Sequence, residues 1–146
     1  MLAERARRSL PGLWAGLMLA IGFVAAPTLF ALLDRAAAGR VASRLFAIEA
    51  TASIVLCVVL ALLERGRAAR GAAAGEGSRV TAELMLVLGA LFCTVLGHHA
   101  IQPMMDAARA GQGAFSFGVL HGVSSALYAV KLLLVATLAW RASAGP

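Results

Sequence analysis

Five ionisable side chains fall inside long apolar stretches of this 146-residue chain: Glu49, His98, His99, His121 and Lys131. A charge is costly in hydrocarbon, so such residues usually face a protein interior and mark candidate functional sites. Their spacing groups them. Glu49, Ser53 and Cys57 recur every four residues, as do Thr94, His98 and Gln102; His121, Ser124, Ser125, Tyr128 and Lys131 follow one face of a third helix. Three roles fit polar strips of this kind. Mutual hydrogen bonding would hold the helices in register. Histidine with methionine and cysteine suits reduced copper, and two histidines on neighbouring helices suit a b-type haem, which nominates His98, His99, His121, Met104 and Met105 as metal ligands. Proton exchange between Glu49 and His121 near neutral pH would serve a proton or solute pathway. Hydrolase chemistry lacks its parts. Ser124 and Ser125 share a face with His121, but the orienting acid would have to be Glu49 and nothing supplies an oxyanion hole, so no catalytic residue is assigned.

The elements that must carry these residues are membrane helices. The chain is 61% hydrophobic and 14% charged, with a mean hydropathy of +0.86, too few polar side chains to cover a surface facing water. Crossing a hydrocarbon core takes roughly 20 apolar residues of helix, and residues 10–33, 45–63, 80–101 and 114–140 meet or approach that length. The expected fold is all-α: one domain, residues 1–146, forming an integral membrane bundle of four transmembrane helices. Continuous apolar runs exclude the alternating ten-residue segments of a membrane barrel. The intervening stretches 34–44, 64–79 and 102–113 hold most of the charge, and with Gly71, Gly75, Gly77 and Pro103 they read as linkers; 64–79 is expected to be flexible and to lie against anionic headgroups.

Orientation follows from the arginines, which concentrate in cytoplasmic loops. Arg5, Arg7, Arg8, Arg65, Arg67, Arg70, Arg79 and Arg141 lie toward one face, against Arg35, Arg40, Arg44 and Arg109 toward the other. Both termini are therefore expected in the cytoplasm, with the chain in the bacterial inner membrane. The first run follows a basic segment as a signal peptide would, yet it continues through Leu33, longer than such a core, and is read as a span. The net charge of +6 does not imply nucleic-acid binding, because the arginines form no aromatic-interleaved patch. Cys57 and Cys93 sit within apolar runs and match no metal or haem-attachment signature.

With that orientation, Glu49, His121 and one of His98 and His99 fall near the outer ends of their spans. A polar pocket is expected there, with Ser124, Ser125 and Tyr128 on its wall and Met104 and Met105 at its rim. Lys131 follows His121 by about 15 Å of helical rise, so it is expected to belong to another layer or to snorkel inward. Small residues at Gly12 and Gly16, and at Gly118 and Gly122, are expected to pack helices of the bundle together, with homodimerisation as the alternative. Pro27 is expected to kink the first helix.

The same residues resemble a known family. Trp14, the run Ala26-Pro27-Thr28-Leu29-Phe30, Ala38-Gly39-Arg40, Leu45-Phe46, Pro103 and above all the H-G-x-S-S-x-x-Y run from His121 to Tyr128 are similar to the bacterial domain of unknown function 4149, related to the eukaryotic transmembrane protein 205. The resemblance implies a four-helix membrane protein and no established bacterial activity. Association of the eukaryotic relatives with resistance to platinum drugs points loosely to soft-metal handling. A further likeness of architecture to copper-resistance D-type proteins, some relatives of which handle haem, is analogy. The functional expectation is a non-enzymatic accessory or interaction protein, its partners the bilayer and other membrane subunits or a second copy; the alternative is a haem- or copper-binding protein for transport, resistance or redox.

Overall fold

In a computed structural model that describes residues 1–75 and 77–144, four helices long and apolar enough to cross a membrane make up nearly all of the chain. They are α1 (Leu2–Leu32), α2 (Arg35–Ala73), α3 (Ala82–Arg109) and α4 (Phe117–Ser143). Each packs against its neighbours in sequence, and α4 closes the ring against α1. Successive helices run antiparallel. Arg7 at the start of α1 therefore meets Glu64 late in α2, and Arg141 near the end of α4 meets Glu83 at the start of α3, all at the terminal end of the bundle.

The helices outrun their apolar stretches, which corrects the reading of 34–44, 64–79 and 102–113 as linkers. Asp34 accepts a hydrogen bond from the Ala37 amide at 2.9 Å and starts α2 after only Leu33 and Asp34. Alanine and arginine then sustain the helix through the charged residues, as strong helix formers do. The same composition carries α2 past Glu64 to Ala73, and Gly75 (φ +77°) turns the chain after it. At the far end, α3 continues through Pro103 to Arg109 and stops in a Schellman turn: Gly111 takes φ +74°, and Gln112 N–H donates to the Ala107 carbonyl at 2.9 Å.

Two of the three prolines within the helices, Pro27 and Pro103, sit beside a widened helical turn, whereas Pro11 lies in the regular first part of α1. Pro27 follows a π-helical turn over Ala20–Ala25, and Pro103 follows one over Leu96–Ile101. A proline deletes one backbone donor and crowds the carbonyl four residues back, and a wider turn accommodates both. Opposite the first of these turns, the Tyr128 hydroxyl donates to the Met18 carbonyl at 2.8 Å.

All four helices contribute two residues each to a dry core: Trp14 and Met18, Cys57 and Leu60, Val87 and Ala90, Val135 and Leu138. Both cysteines are free thiols. The expected glycine faces are not where the helices meet. Gly12, Gly16, Gly118 and Gly122 are exposed on the outside of the bundle, and a Cβ added at any of them meets nothing within 4 Å. Close approach occurs instead at Gly22, where a Cβ would lie 2.9 Å from the Tyr128 ring, and at Gly89, where it would lie 3.1 Å from Leu134. Spacing alone finds small residues; it does not say which side of a helix faces a partner.

Candidate functional site

One deeply buried polar network organises the centre of the bundle. The Lys131 ammonium on α4 reaches the Glu49 carboxylate on α2 at 2.8 and 2.9 Å, and both side chains are almost completely buried. The Ser53 hydroxyl, one turn along α2, donates to Glu49 at 2.5 Å and accepts from the Trp14 indole N–H at 2.9 Å. Lys131 also lies 5.1 Å from the centroid of the Tyr128 ring, within the range of a cation–π contact. Four residues from three helices thus satisfy one another's polar groups while almost wholly buried. The ion pair runs across the diagonal of the ring, between two helices that otherwise barely touch.

This pairing corrects the assignment of Lys131 to a separate layer. Glu49 follows Arg35, the first residue of α2, by fourteen positions, and Lys131 follows Phe117, the first residue of α4, by fourteen as well. Each is therefore about 21 Å from its helix start. The expectation that Glu49 is shallow came from starting the second helix at residue 45. His121, only four residues into α4, stands about 15 Å shallower than the pair and does not join it.

Above the pair opens a cavity of about 940 Å³ among α2, α3 and α4, with Phe30 of α1 also on its wall. Its floor is Glu49, Lys131 and Tyr128; its walls carry Thr94, His98 and Gln102 from α3, Ser124, Ser125 and His121 from α4, and Ser43 and Phe46 from α2. Arg35, Arg40 and Arg109 stand around the end away from the termini, where Arg109 pairs with Asp106 at 2.8 Å and covers the Phe117 ring. The His121 imidazole stacks on Phe117, with 5.7 Å between ring centroids. Phe46 meets Tyr128 edge to face at 5.4 Å. Below the floor, the dry core closes the bundle.

The candidate metal ligands are not gathered. His98 lines the cavity, while His99 is exposed beside it and turned out of the lining, the two rings meeting edge to face at 4.9 Å. Met105 is buried and lines the cavity; Met104 is exposed outside it. Among the described residues, no three histidine, cysteine or carboxylate side chains stand close enough to hold a metal ion.

Residues 10–114, more than two thirds of the chain, match the family described as domain of unknown function 4149. The chain belongs to that family. The DUF4149 match includes Glu49, His98 and the whole of the helical hairpin that precedes α4, but stops short of His121, Ser124, Ser125, Tyr128 and Lys131. One half of the central ion pair thus lies inside the matched DUF4149 segment and the other outside it. No curated protein and no solved structure matches the chain.

A second buried charge cluster centres on Glu64, which the apolar pattern of the sequence places at the start of a linker. It continues the Glu49–Ser53–Cys57 face of α2, and its carboxylate is 1% exposed. Arg7, nearly buried itself, reaches Glu64 at 3.3 Å and Glu4 at 2.7 Å; Arg67 stands 4.0 Å from the other Glu64 oxygen, which has no hydrogen-bond partner among the described residues. Substituting Arg7→Met removes the one cation that hydrogen-bonds this carboxylate, at an expected cost of roughly 2 kcal/mol. Unfolding in mixed detergent micelles measures it, with Arg5→Met, an exposed control, expected to cost nothing measurable.

Proposed function

We propose that the protein is a non-enzymatic, small-molecule-binding accessory protein of the bacterial inner membrane, with both termini cytoplasmic and the cavity open toward the opposite face. The observation that carries this reading is a cavity of about 940 Å³ that ends on a buried ion pair. That volume lies at the upper end of the range of small-molecule sites, which combine apolar walls with a few fixed polar groups. A bundle needing only to fill lipid would close this space with leucine. The eight arginines of the terminal end against four at the other support the orientation. The outward-facing Gly12–Gly16 and Gly118–Gly122 ridges leave room for another membrane helix, which supports the accessory role.

Gly39 and Gly97 give a direct test, because both line the cavity and a Cβ at either meets nothing within 4 Å. Native mass spectrometry of the detergent-purified protein is expected to show a small molecule retained by the wild type. Gly39→Trp and Gly97→Phe should lose it while melting at the wild-type temperature. Equal retention by all three proteins, or none by the wild type, would count against a ligand site. The competing haem or copper reading has His98, His121 and Met105 on the cavity wall in its favour; a haem absorbance band or one copper per chain in the purified protein would decide for it.

A further inference from the structure

We infer that the cavity takes an anionic amphiphile, one acidic group on an apolar body, held with its acidic group at Arg35 and Arg40. This rests on the reading of the cavity as a ligand site and names the ligand class. The charges on the cavity wall do not balance. Each carboxylate there already has its own cation, Glu49 with Lys131 at 2.8 Å and Asp106 with Arg109 at 2.8 Å. Arg35 and Arg40 remain, with no hydrogen bond or ion pair among the described residues.

Their position makes this informative. Membrane proteins collect arginine on the cytoplasmic side for orientation, and the terminal end of this bundle already holds most of it. Topology therefore does not account for Arg35 and Arg40 at the other end. An acidic group does, because a guanidinium binds phosphate or carboxylate through paired, charge-assisted hydrogen bonds. Beside the polar side chains, the same wall carries an apolar component, Phe30, Phe46, Met105 and Leu127. A small inorganic anion would leave the apolar part of that wall bare, and an uncharged hydrocarbon would leave the two exposed guanidiniums to water alone. A molecule that is acidic at one end and apolar along its body satisfies both.

Such a ligand has two sources: an anionic phospholipid entering from the bilayer, or a free acidic amphiphile entering from solution. Binding to the purified protein in a nonionic detergent, titrated with four probes, separates them. Hexadecyl phosphate represents the free amphiphile and phosphatidylglycerol the bilayer lipid. Hexadecanol offers the tail without charge, and inorganic phosphate the charge without a tail. Saturable binding of one molecule per chain is expected for at least one acidic amphiphile, at least about tenfold tighter than hexadecanol, with no saturation by inorganic phosphate. The Arg35→Gln/Arg40→Gln protein should lose about tenfold in affinity for that probe and keep its affinity for hexadecanol. Phosphatidylglycerol alone would assign the source to the bilayer, and hexadecyl phosphate alone would assign it to solution.

Hexadecanol bound as tightly as the acidic probes, with no effect of the arginine substitutions, would overturn the ligand class and leave the cavity reading intact, provided Gly39→Trp still abolished binding. Binding unaffected by Gly39→Trp would instead remove the cavity as the site. Failure of every probe to bind would overturn the inference.

Discussion

Lys131→Met is expected to destabilise the protein by about 3 to 5 kcal/mol, the usual consequence of leaving one member of a buried ion pair alone. Glu49 would keep only the Ser53 hydroxyl as a protein donor, with its carboxylate almost wholly buried at the cavity floor. Adding Glu49→Gln to Lys131→Met should recover most of that loss, because no charge then remains to be solvated. A double-mutant cycle in mixed detergent micelles gives the coupling directly. Two additive single effects would mean that the ammonium and the carboxylate are not partners. Recovery in the double variant would also say something about function, since a pair that apolar or neutral groups replace without loss is not required by the fold. Its place at the floor of a cavity then points to the ligand.

Gly22→Leu is the second substitution with a large expected effect. A Cβ alone would stand 2.9 Å from the Tyr128 ring, closer than side chains pack, and leucine would drive the ring away. Tyr128 would lose its hydrogen bond to the Met18 carbonyl and its edge-to-face contact with Phe46. Overpacking combined with a lost buried hydrogen bond gives an expected cost of about 3 kcal/mol. Gly16→Leu, six residues earlier on the same helix, should cost almost nothing, because its Cβ points into open space. A melting-temperature comparison of the two is sufficient. Equal losses would contradict the packing of α1 against α4 at this level.

The pair of glycines also shows where sequence stops being informative. Gly12, Gly16, Gly118 and Gly122 have the spacing of a close helix contact, yet they face outward, whereas Gly22 belongs to no repeat and makes the tightest approach. What distinguishes them is the bulky partner on the neighbouring helix, and that is a fact of tertiary structure. The four helices were legible because 20-residue apolar runs leave few alternatives in lipid. Their true lengths were not, because apolar content marks what lipid covers, while alanine and arginine extend a helix well beyond it. That single shortfall misplaced two charges. Starting α2 at residue 45 made Glu49 appear shallow and hid its match in depth with Lys131; ending it at residue 63 hid Glu64. The polar strips on α2, α3 and α4 were readable from their period, which does not depend on where a helix begins.

On the proposed reading, a water-reachable cavity descends from the end away from the termini and stops at the dry core below Glu49 and Lys131. Cysteine accessibility in intact cells decides whether it does. In a Cys57→Ala/Cys93→Ala background, Ser43→Cys and Ser124→Cys place thiols on the cavity wall, and Leu60→Cys places one in the core beneath it. A membrane-impermeant maleimide added outside the cells should label the first two and leave the third unmodified. Labelling of Leu60→Cys from outside, or of Ser43→Cys and Ser124→Cys only in inverted vesicles, would contradict that reading.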